Sequence, residues 1–480
     1  MGVVYNAEDT KLERTVRNIE TQEGNLCAFD GSFMVNPDKK PFHFVGGDML
    51  NRLQVALILA AFTMISCGAG TPPLATGSKV FVGAQIIDGT GASPIDNGVI
   101  LVSEGKIVAA GSAADVQIPK EAERIDVRGK FIMPGLINAH GHVGDVVGLE
   151  GGHYSKENVD RQLRLYARYG VTTVNSLGGD QASGANLRAV QASPALDRAR
   201  LLVAGEVVSG ETEEAVRAAI DRNADLKVDY IKIRVDDNLG TSKKMTPEIY
   251  RTVIEYAHQK HLKVAAHLFY LDDAKSLLKS GIDFAAHSVR DQEVDDELIG
   301  LLKEKDIGYC PTLVREVSVF VYESEPDFFN DPFFLKEADP EVIKQLKSPD
   351  RQQGIRNSIT AQKTKKALEV ALANLKKLAD AGVKIAFGTD SGPPARFQGY
   401  FEHLELELMA KAGLTPMQII IAATRDAASS LGLSHLGTLE PGKWADFIVL
   451  GANPLEDIKN SRSIESVWIA GNRVPEKEQS

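Results

Sequence analysis

The sequence predicts an α/β protein, a (β/α)8 TIM barrel with a small β-sandwich domain built from both flanks of the barrel. Two observations favour this fold. Across residues 134–433, eight short apolar segments of strand type alternate with amphipathic helical segments, which is the pattern of a parallel barrel. On either side, residues 79–133 and 434–480 contain short apolar runs bounded by Gly, Asn and Asp, which is typical of hairpins. We therefore expect the two flanks to pack together as one domain.

The bulk composition indicates a globular protein. The chain has 480 residues, of which 43% are hydrophobic and 25% are charged, and this length is typical of several domains or of one large barrel with an appendage. The formal net charge of −11 argues against a nucleic-acid partner, which would select a basic surface. Three cysteines, Cys27, Cys67 and Cys310, are too widely spaced for a disulfide framework or a cysteine-rich zinc site.

Residues 49–66 have the pattern of a secretory signal peptide. A short basic segment precedes the apolar run 53–64, which is shorter than the ~20 residues of a transmembrane helix. The sequence Met64–Cys67 resembles the lipobox of bacterial lipoproteins. We therefore expect Cys67 to carry a lipid, residues 67–78 to form a tether, and the protein to be exported and anchored on the periplasmic side of a bacterial membrane.

The position of this segment leads to a hypothesis about residues 1–48. Because a signal peptide works from the start of a chain, we expect translation to begin at Met49 and residues 1–48 to be a non-native upstream extension. The alternative is a buried helix over residues 53–65. Under the signal-peptide hypothesis, membrane contact is expected only through the lipid anchor.

The elements of the two flanks are short strands. In the first flank they are Val80–Val82, Gln85–Gly89, Gly98–Val102 and Lys106–Ala109, and in the second they are Ala445–Leu450 and Val467–Arg473. Two strand-rich ends around a different middle indicate that both ends join one unit.

The middle of the chain alternates strands with helices. After the strand in Phe131–Val143, the predicted strands are Thr172–Val174, Leu201–Ala204, Tyr230–Ile233, Lys263–His267, Phe284–His287, Ile307–Pro311 and Lys384–Asp390. The predicted helices include Asn158–Tyr169, Glu211–Asn223, Pro247–Lys260 and Asp272–Lys279. A long insert, Val314–Ser358, follows the seventh strand, at the end of a barrel where active-site loops lie.

The first strand of the middle region ends in two histidines. His140 and His142 are separated by Gly141, and because side chains alternate along a strand, both imidazoles project to the same face. This arrangement is half of a metal site.

Four further polar residues close later strands. They are Lys232 on the fourth strand, His267 on the fifth, His287 on the sixth and Asp390 on the eighth. The carboxyl ends of barrel strands meet on one face, where active sites lie. Imidazole and carboxylate groups suit zinc and similar metals, whereas Lys232 can serve as a ligand only if CO2 converts its amine to a carbamate.

At these residues the chain resembles the amidohydrolase superfamily, in particular the imidazolonepropionase-like branch that includes prolidase-like dipeptidases. The resemblance covers about residues 79–475. Its motifs are Pro134–His142, Tyr230–Ile233, Ala265–His267, Ala286–Ser288, Gly388–Ser391 and Gly437–Asp446.

The resemblance implies a centre of two divalent metal ions, expected to be Zn²⁺. His140, His142 and Asp390 would hold one ion, His267 and His287 the other, and carboxylated Lys232 would bridge them. Such an ion lowers the pKa of its water towards ~7 and polarises the scissile carbonyl.

The implied reaction is cleavage of an amide-type C–N bond in a dipeptide or N-acyl amino acid. A metal-bound hydroxide would attack the carbonyl, with Asp390 as general base and then general acid. Asp390 and His287 are therefore the candidate catalytic residues. The expected partners are a small-molecule substrate and further copies of the chain in a homo-oligomer.

Four residues are candidates for substrate contact. The fourth strand runs on into Arg234 where dipeptidase-like relatives have a Ser/Gly-rich loop, and Arg234 lies on the same side as Lys232 by strand parity. It would pair either with a substrate carboxylate or with a neighbouring Asp. The other candidates, on loops after the first and fifth strands, are His153, Tyr154 and Tyr270.

Other functions remain open at this point. A mononuclear enzyme would open cyclic amides or deaminate heterocycles, with one metal held by His140, His142, His267 and Asp390 and with Lys232 uncarboxylated. A lactonase or esterase would use the same site, because the same hydroxide attacks esters. A non-catalytic binding protein is disfavoured because every ligand position is intact, and the fold alone does not determine the substrate.

Overall fold

A computed structural model describes residues 77–237, 239–240 and 242–477 of this mixed α/β protein. The predicted upstream extension, the signal peptide, Cys67 and all but the end of the tether lie outside the described residues. Within the described part of the chain, no helix combines the length and the apolar character that a membrane crossing requires.

The described residues form fifteen strands. They are β1 Lys79–Ile86, β2 Ile95–Ser103, β3 Lys106–Ser112, β4 Glu123–Asp126, β5 Phe131–Pro134, β6 Leu136–Gly141, β7 Val171–Ser176, β8 Arg200–Val203, β9 Tyr230–Arg234, β10 Lys263–His267, β11 Phe284–Ala286, β12 Gly308–Cys310, β13 Phe447–Leu450, β14 Ile464–Ile469 and β15 Asn472–Arg473.

Strands from both flanks share one eight-stranded sheet. Its order is β15-β14-β13-β5-β1-β2-β3, with β4 paired to β1. The flanks meet where β13 runs antiparallel to β5, with Phe447 opposite Pro134. Three aromatic rings support this junction, because the ring of Phe81 lies 4.8 Å from that of Phe447 and 4.7 Å from that of Trp468.

The middle of the chain forms two parallel sheets, β6-β7-β8 and β12-β11-β10-β9. Single parallel bridges extend them, pairing Val208 with Ile233, Tyr309 with Ile385 and Gly141 with Ser391. The predicted eighth strand, residues 384–390, is therefore not a continuous strand; the segment forms single bridges at Ile385 and, just beyond its end, at Ser391. Between the two bridges the backbone N–H of Phe387 donates to the Ala422 carbonyl at 3.1 Å, outside the sheet, and at the end of the segment the φ of Asp390, +56°, lies in the left-handed region.

Fourteen α-helices lie in the described residues. They are α1 Lys156–Arg168, α2 Ala182–Ala189, α3 Glu213–Asp225, α4 Pro247–Gln259, α5 Leu271–Ser280, α6 Asp296–Glu304, α7 Leu313–Phe320, α8 Pro332–Leu335, α9 Pro340–Leu346, α10 Pro349–Arg356, α11 Ile359–Asp380, α12 Tyr400–Lys411, α13 Pro416–Ile421 and α14 Ala427–Leu431. Shorter helical turns of other types span Val321–Glu323, Asp327–Asn330, Ala422–Asp426 and Ile458–Arg462.

The insert Val314–Ser358, expected as an active-site loop, is a series of short helices, α7 to α10. Three of these helices begin at a proline that follows Asp331, Asp339 or Ser348. Proline at the first helical position, after an Asp or Ser cap, starts a helix without losing a hydrogen bond. The starts of these three helices could therefore be predicted from the sequence.

A buried ion pair joins the parallel sheet to the eight-stranded sheet. Arg200, at the start of β8, donates from Nε to Asp446 Oδ2 at 2.7 Å and from Nη2 to Asp446 Oδ1 at 3.2 Å. The side chains of both residues are 4% exposed. Asp446 Oδ1 also accepts the backbone N–H of Ala470 at 2.7 Å, so one carboxylate fixes strand ends from two sheets.

Asp446→Asn is expected to lower the free energy of unfolding by about 3 kcal/mol, because it leaves the Arg200 guanidinium buried without a counter-charge. The measurement is guanidinium-induced unfolding of both proteins. The matched control is Asp380→Asn, which removes an exposed ion pair to Lys376 and should change stability by less than about 0.5 kcal/mol. Equal effects of the two substitutions would contradict the structural role of Asp446.

Candidate metal centre

The two histidines of β6 lie side by side at its carboxyl end. The His140 and His142 ring centroids are 5.7 Å apart. The buried amide of Asn138 fixes this strand end, because its oxygen accepts the backbone N–H of His140 at 3.0 Å and that of Thr389 at 3.3 Å. One side chain thereby holds β6 against the segment that carries Asp390.

Lys232 and Asp390 lie next to these histidines. The distance from His140 Nε2 is 3.3 Å to Lys232 Nζ and 3.7 Å to Asp390 Oδ1. His142 Nε2 lies 2.9 Å from the same Asp390 oxygen. His140, His142 and Asp390 each offer a ligand atom, and the three atoms lie within 4.8 Å of one another. No other such group of three His, Cys, Asp or Glu side chains occurs in the described residues.

The second pair of histidines, at the ends of β10 and β11, adjoins the first pair. The ring centroid of His287 lies 4.0 Å from that of His267 and 4.5 Å from that of His140. His267 Nε2 lies 3.1 Å from Asp236 Oδ2, and His287 Nδ1 lies 2.7 Å from Thr312 Oγ1. These contacts orient the rings and leave Nδ1 of His267 and Nε2 of His287 for a metal.

The donor set fits a divalent metal ion. Burial is the main cause that holds the pKa of His140 and of His287 well below its usual value and lowers the pKa of His267 to about 3, so the imidazoles are in the neutral form that binds metals. His142 donates from Nδ1 to the Gly178 carbonyl at 3.1 Å, which leaves Nε2 as its ligand atom. His140 Nδ1 is buried without a hydrogen-bond partner.

Burial also changes the chemistry of Lys232. It lowers the pKa of the Lys232 ammonium group to about 8, so roughly a tenth of the side chains carry the neutral amine at pH 7, far more than for an ordinary lysine. A neutral amine is the form that reacts with CO2.

Two arginines contact Asp390. Arg396 Nη1 donates to Asp390 Oδ2 at 2.5 Å, and Arg315 Nε lies 3.9 Å from the same oxygen. Burial acts to raise the pKa of Asp390, but the Arg396 guanidinium and the two histidines outweigh it and hold that pKa well below its usual value. Asp390 is therefore ionised, as a ligand carboxylate must be.

Two cavities adjoin this cluster. A cavity of about 150 Å³ is lined by His142 and the loop after β7. A second cavity, of about 190 Å³ and here called the side chamber, is lined by Arg396 and by mostly apolar side chains. The two cavities share Val146, Gln162, Gly392 and Pro393.

Arg234 forms the neighbouring ion pair that the sequence offered as one of two possibilities. Its Nε donates to Asp236 Oδ1 at 2.8 Å, and its side chain is 43% exposed. Because Asp236 also contacts His267, the Arg234–Asp236 pair supports a candidate metal ligand.

The other predicted substrate residues lie outside the lining of both cavities. His153 is exposed. The Tyr154 hydroxyl lies against Gly184, where a β-carbon would come within 2.2 Å of it. Tyr270 donates its hydroxyl to Asp237 Oδ1 at 2.8 Å. Their predicted role in substrate contact stays a prediction.

Sequence reasoning missed Asp236, Thr312, Arg315 and Arg396. The first two contact candidate ligands, and the arginines contact Asp390. Of these four residues, only Asp236 could have been predicted from the sequence, because strand parity puts it on the side of Lys232 and Arg234.

Comparison with known proteins finds similarity to a family model and to proteins named as hydrolases and deaminases. A model of the amidohydrolase family matches residues 131–474. An ochratoxinase of Aspergillus niger is 27% identical over 449 residues, which cover 80% of this chain and 84% of that protein. A 5-methylthioadenosine/S-adenosylhomocysteine deaminase of Bacillus cereus is 22% identical over 429 residues, covering 79% and 89%. The solved structure of a Xaa-Pro dipeptidase with methionine bound in its active site matches with a TM-score of 0.67 at 22% identity, covering 83% of this chain and 99% of that one.

Proposed function

The chain belongs to the amidohydrolase family, and from this premise we propose that it cleaves the amide bond of dipeptides or N-acyl amino acids. The family assignment makes it a metal-dependent hydrolase that acts on C–N bonds. The observation that carries the finer proposal is the convergence of four histidines, Lys232 and Asp390 at the strand ends.

We propose that the parallel strands close into a (β/α)8 barrel. The bridges from Val208 to Ile233, from Tyr309 to Ile385 and from Gly141 to Ser391 support this proposal. Together they link the two parallel sheets and the segment 384–391 into one circuit of parallel pairings, which is the topology of a barrel.

The proposed centre holds two ions, expected to be Zn²⁺. His140, His142 and Asp390 would hold one ion, and His267 and His287 the other. The second pair has two ligands, and a carbamate on Lys232, next to His140, would give it a third that both ions share. When bound, such ions acidify water and polarise a substrate carbonyl.

The side chains of the cluster would have separate roles in the reaction. Asp390, facing His142 through Oδ1, would take the proton of the attacking water and deliver it to the leaving nitrogen as the C–N bond breaks. His142 stays a donor to Gly178 through Nδ1. Thr312 and Asp236 keep the rings of His287 and His267 oriented.

A second candidate is a mononuclear enzyme that opens cyclic amides or deaminates heterocycles. One observation favours it: among the described residues, a single group of three conventional ligands is complete without carboxylation of Lys232. In this case His140, His142 and Asp390, with His267, would hold one ion. A lactonase or esterase would use the same groups.

A substrate screen of the zinc-loaded protein tests the proposal. Dipeptides and N-acyl amino acids are expected to be hydrolysed, with release of a free amino acid measured by chromatography. Cyclic amides, aminated heterocycles, lactones and esters are the comparison sets. Turnover confined to cyclic amides or heterocycles would overturn the proposal in favour of the second candidate, and turnover confined to lactones or esters would assign the site to C–O bonds.

We further propose that the protein is exported and anchored by a lipid on Cys67, at the periplasmic side of a bacterial membrane. The sequence of residues 49–67 supports this proposal. Since the proposed substrates are small molecules, such an anchor leaves the barrel free to meet them.

A further inference from the structure

Three arginines and two carboxylates form a mostly buried cluster beside the candidate centre. Glu316 pairs with both Arg290 and Arg315, at 2.9 Å and 2.8 Å. Asp390 pairs with Arg396 at 2.5 Å and lies 3.9 Å from Arg315. Within this cluster the guanidinium groups exceed the carboxylates by one positive charge, and the nearby carboxylate of Asp236 is already paired with Arg234. A partly or fully buried charge without a counter-charge is costly, so this cluster favours an added anion.

All three arginines keep unused donors, which in the fully buried Arg290 are Nε and Nη2. Arg396 donates from Nη1 to Asp390 and from Nε to Ser318 Oγ at 3.1 Å, and its Nη2 has no hydrogen bond to the described residues. Arg315 donates from Nη1 to Glu316, and its Nε is buried without a hydrogen-bond partner. A guanidinium group has five N–H donors arranged to match a carboxylate. Arg315 and Arg396 can therefore each donate to a second anion.

Arg396 connects this anion-favouring cluster to the side chamber. It contacts Asp390 and also lines the chamber, together with Leu165, Phe334, Val342 and Phe397. The charged side chains of Arg161, Glu337 and Asp339 line the chamber as well, and the Glu337 carboxylate is paired with Arg168. The chamber lies next to the cavity at His142, and the two have four lining residues in common. A ligand with a negative group next to an apolar one would match these surroundings.

We propose that Arg396, which lines the side chamber, binds the free carboxylate of the substrate with a further donor from the neighbouring Arg315 Nε, and that the side chamber takes the apolar side chain of the same amino acid. This inference rests on the proposed function and narrows it to amides whose leaving amino acid has a free carboxylate and an apolar side chain. Such a carboxylate would dock at Arg396 Nη2, because Nη1 and Nε already donate to Asp390 and Ser318. Arg234 is less suited because, unlike Arg396, it does not line the side chamber.

Binding of two probes without a scissile bond tests the inference. The probes are 3-phenylpropanoate and its neutral counterpart 3-phenylpropan-1-ol, measured by calorimetry on the zinc-loaded protein. In Arg396→Gln and Arg315→Gln, the affinity for the carboxylate should fall by at least about tenfold, because a charge-assisted hydrogen bond is lost. The affinity for the alcohol should change by less than twofold, and Arg396→Lys should retain part of the carboxylate affinity.

The controls separate this role from a structural one. Arg356→Gln, on the exposed end of α10, should leave both affinities unchanged, and metal content is measured for every variant. An equal loss for both probes would assign the arginines a structural role and overturn the inference. An unchanged carboxylate affinity would overturn it as well, by showing that the anion binds elsewhere, for example at the metals.

A kinetic measurement separates this inference from the proposed function. For any N-acyl amino acid that is hydrolysed, the arginine variants should raise KM more than they lower kcat, and the wild type should prefer the free acid to its C-terminal amide. If no N-acyl amino acid or dipeptide is hydrolysed, the proposed function fails, while the two probes still decide whether the carboxylate site exists.

Discussion

Asp390→Asn is expected to lower kcat by about 10³-fold, within the range of 10²–10⁴ that general acid–base catalysis contributes. An amide has nearly the shape of the carboxylate and keeps an oxygen towards His142 Nε2, which lies 2.9 Å from Asp390 Oδ1. It cannot take the proton of the attacking water or return it to the leaving nitrogen. The chain should therefore keep much of its metal through the histidines while losing turnover. The measurement pairs steady-state kinetics with metal content per chain.

The control for this variant separates loss of chemistry from loss of fold. Asp380→Asn is the same substitution on the exposed face of α11 and should leave kcat unchanged. Because Asp390 also pairs with Arg396, the melting temperature of each variant is recorded with its kinetics. A near-native rate in Asp390→Asn would show that another group is the base. A loss of metal together with rate would reduce Asp390 to a ligand.

The candidate ligands were predictable because a simple local pattern fixes their position. His140, His142, Lys232 and His267 lie within or directly after apolar strands, and parallel strands bring their carboxyl ends to one face. The structure brings these side chains together with His287 and Asp390. For such residues, strand register alone predicts proximity.

The arginines beside Asp390 were not predictable in this way. Arg315 lies in the helical insert, and Arg396 lies six residues beyond Asp390 in an irregular segment. Arg315 lies in α7 and Arg396 in no regular element, and no strand register relates either residue to Asp390, so their approach to Asp390 depends on tertiary packing. The eighth strand shows the same limit, because the apolar run predicted a continuous strand, whereas the backbone N–H of Phe387 bonds to Ala422 outside the sheet and the φ of Asp390 is left-handed.

Local competition explains the result for Arg234. Strand parity put its side chain on the face of Lys232, but the same parity put Asp236 there too, two residues away. A carboxylate within the same segment needs no further ordering to reach the guanidinium group, and the two pair at 2.8 Å. A polar residue at a strand end is thus a better candidate for a substrate contact when no opposite charge follows at the next position on that face.

Lys232→Ala is expected to reduce the bound metal from two ions per chain to one or none, after expression with zinc and bicarbonate. The wild-type amine is buried, its Nζ lies 3.3 Å from His140 Nε2, and its pKa is lowered to about 8. A carbamate on this amine would be the third ligand for the ion at His267 and His287. Alanine removes that ligand and leaves two neutral imidazoles, so the second ion should dissociate first and turnover should fall with it.

Metal analysis of the two proteins, with Lys376→Ala as an exposed control, distinguishes the remaining alternatives. Added acetate should restore part of the second ion in Lys232→Ala, because a free carboxylate can occupy the space that the lysine side chain leaves. Two ions in both proteins would show that Lys232 is not a ligand. One ion in both would favour the mononuclear enzyme, and cyclic amides and heterocyclic amines would then be the first substrates to test. Two ions falling to one or none, with rescue by acetate, would establish the carbamate as the shared ligand, since alanine leaves the four histidines and Asp390 unchanged.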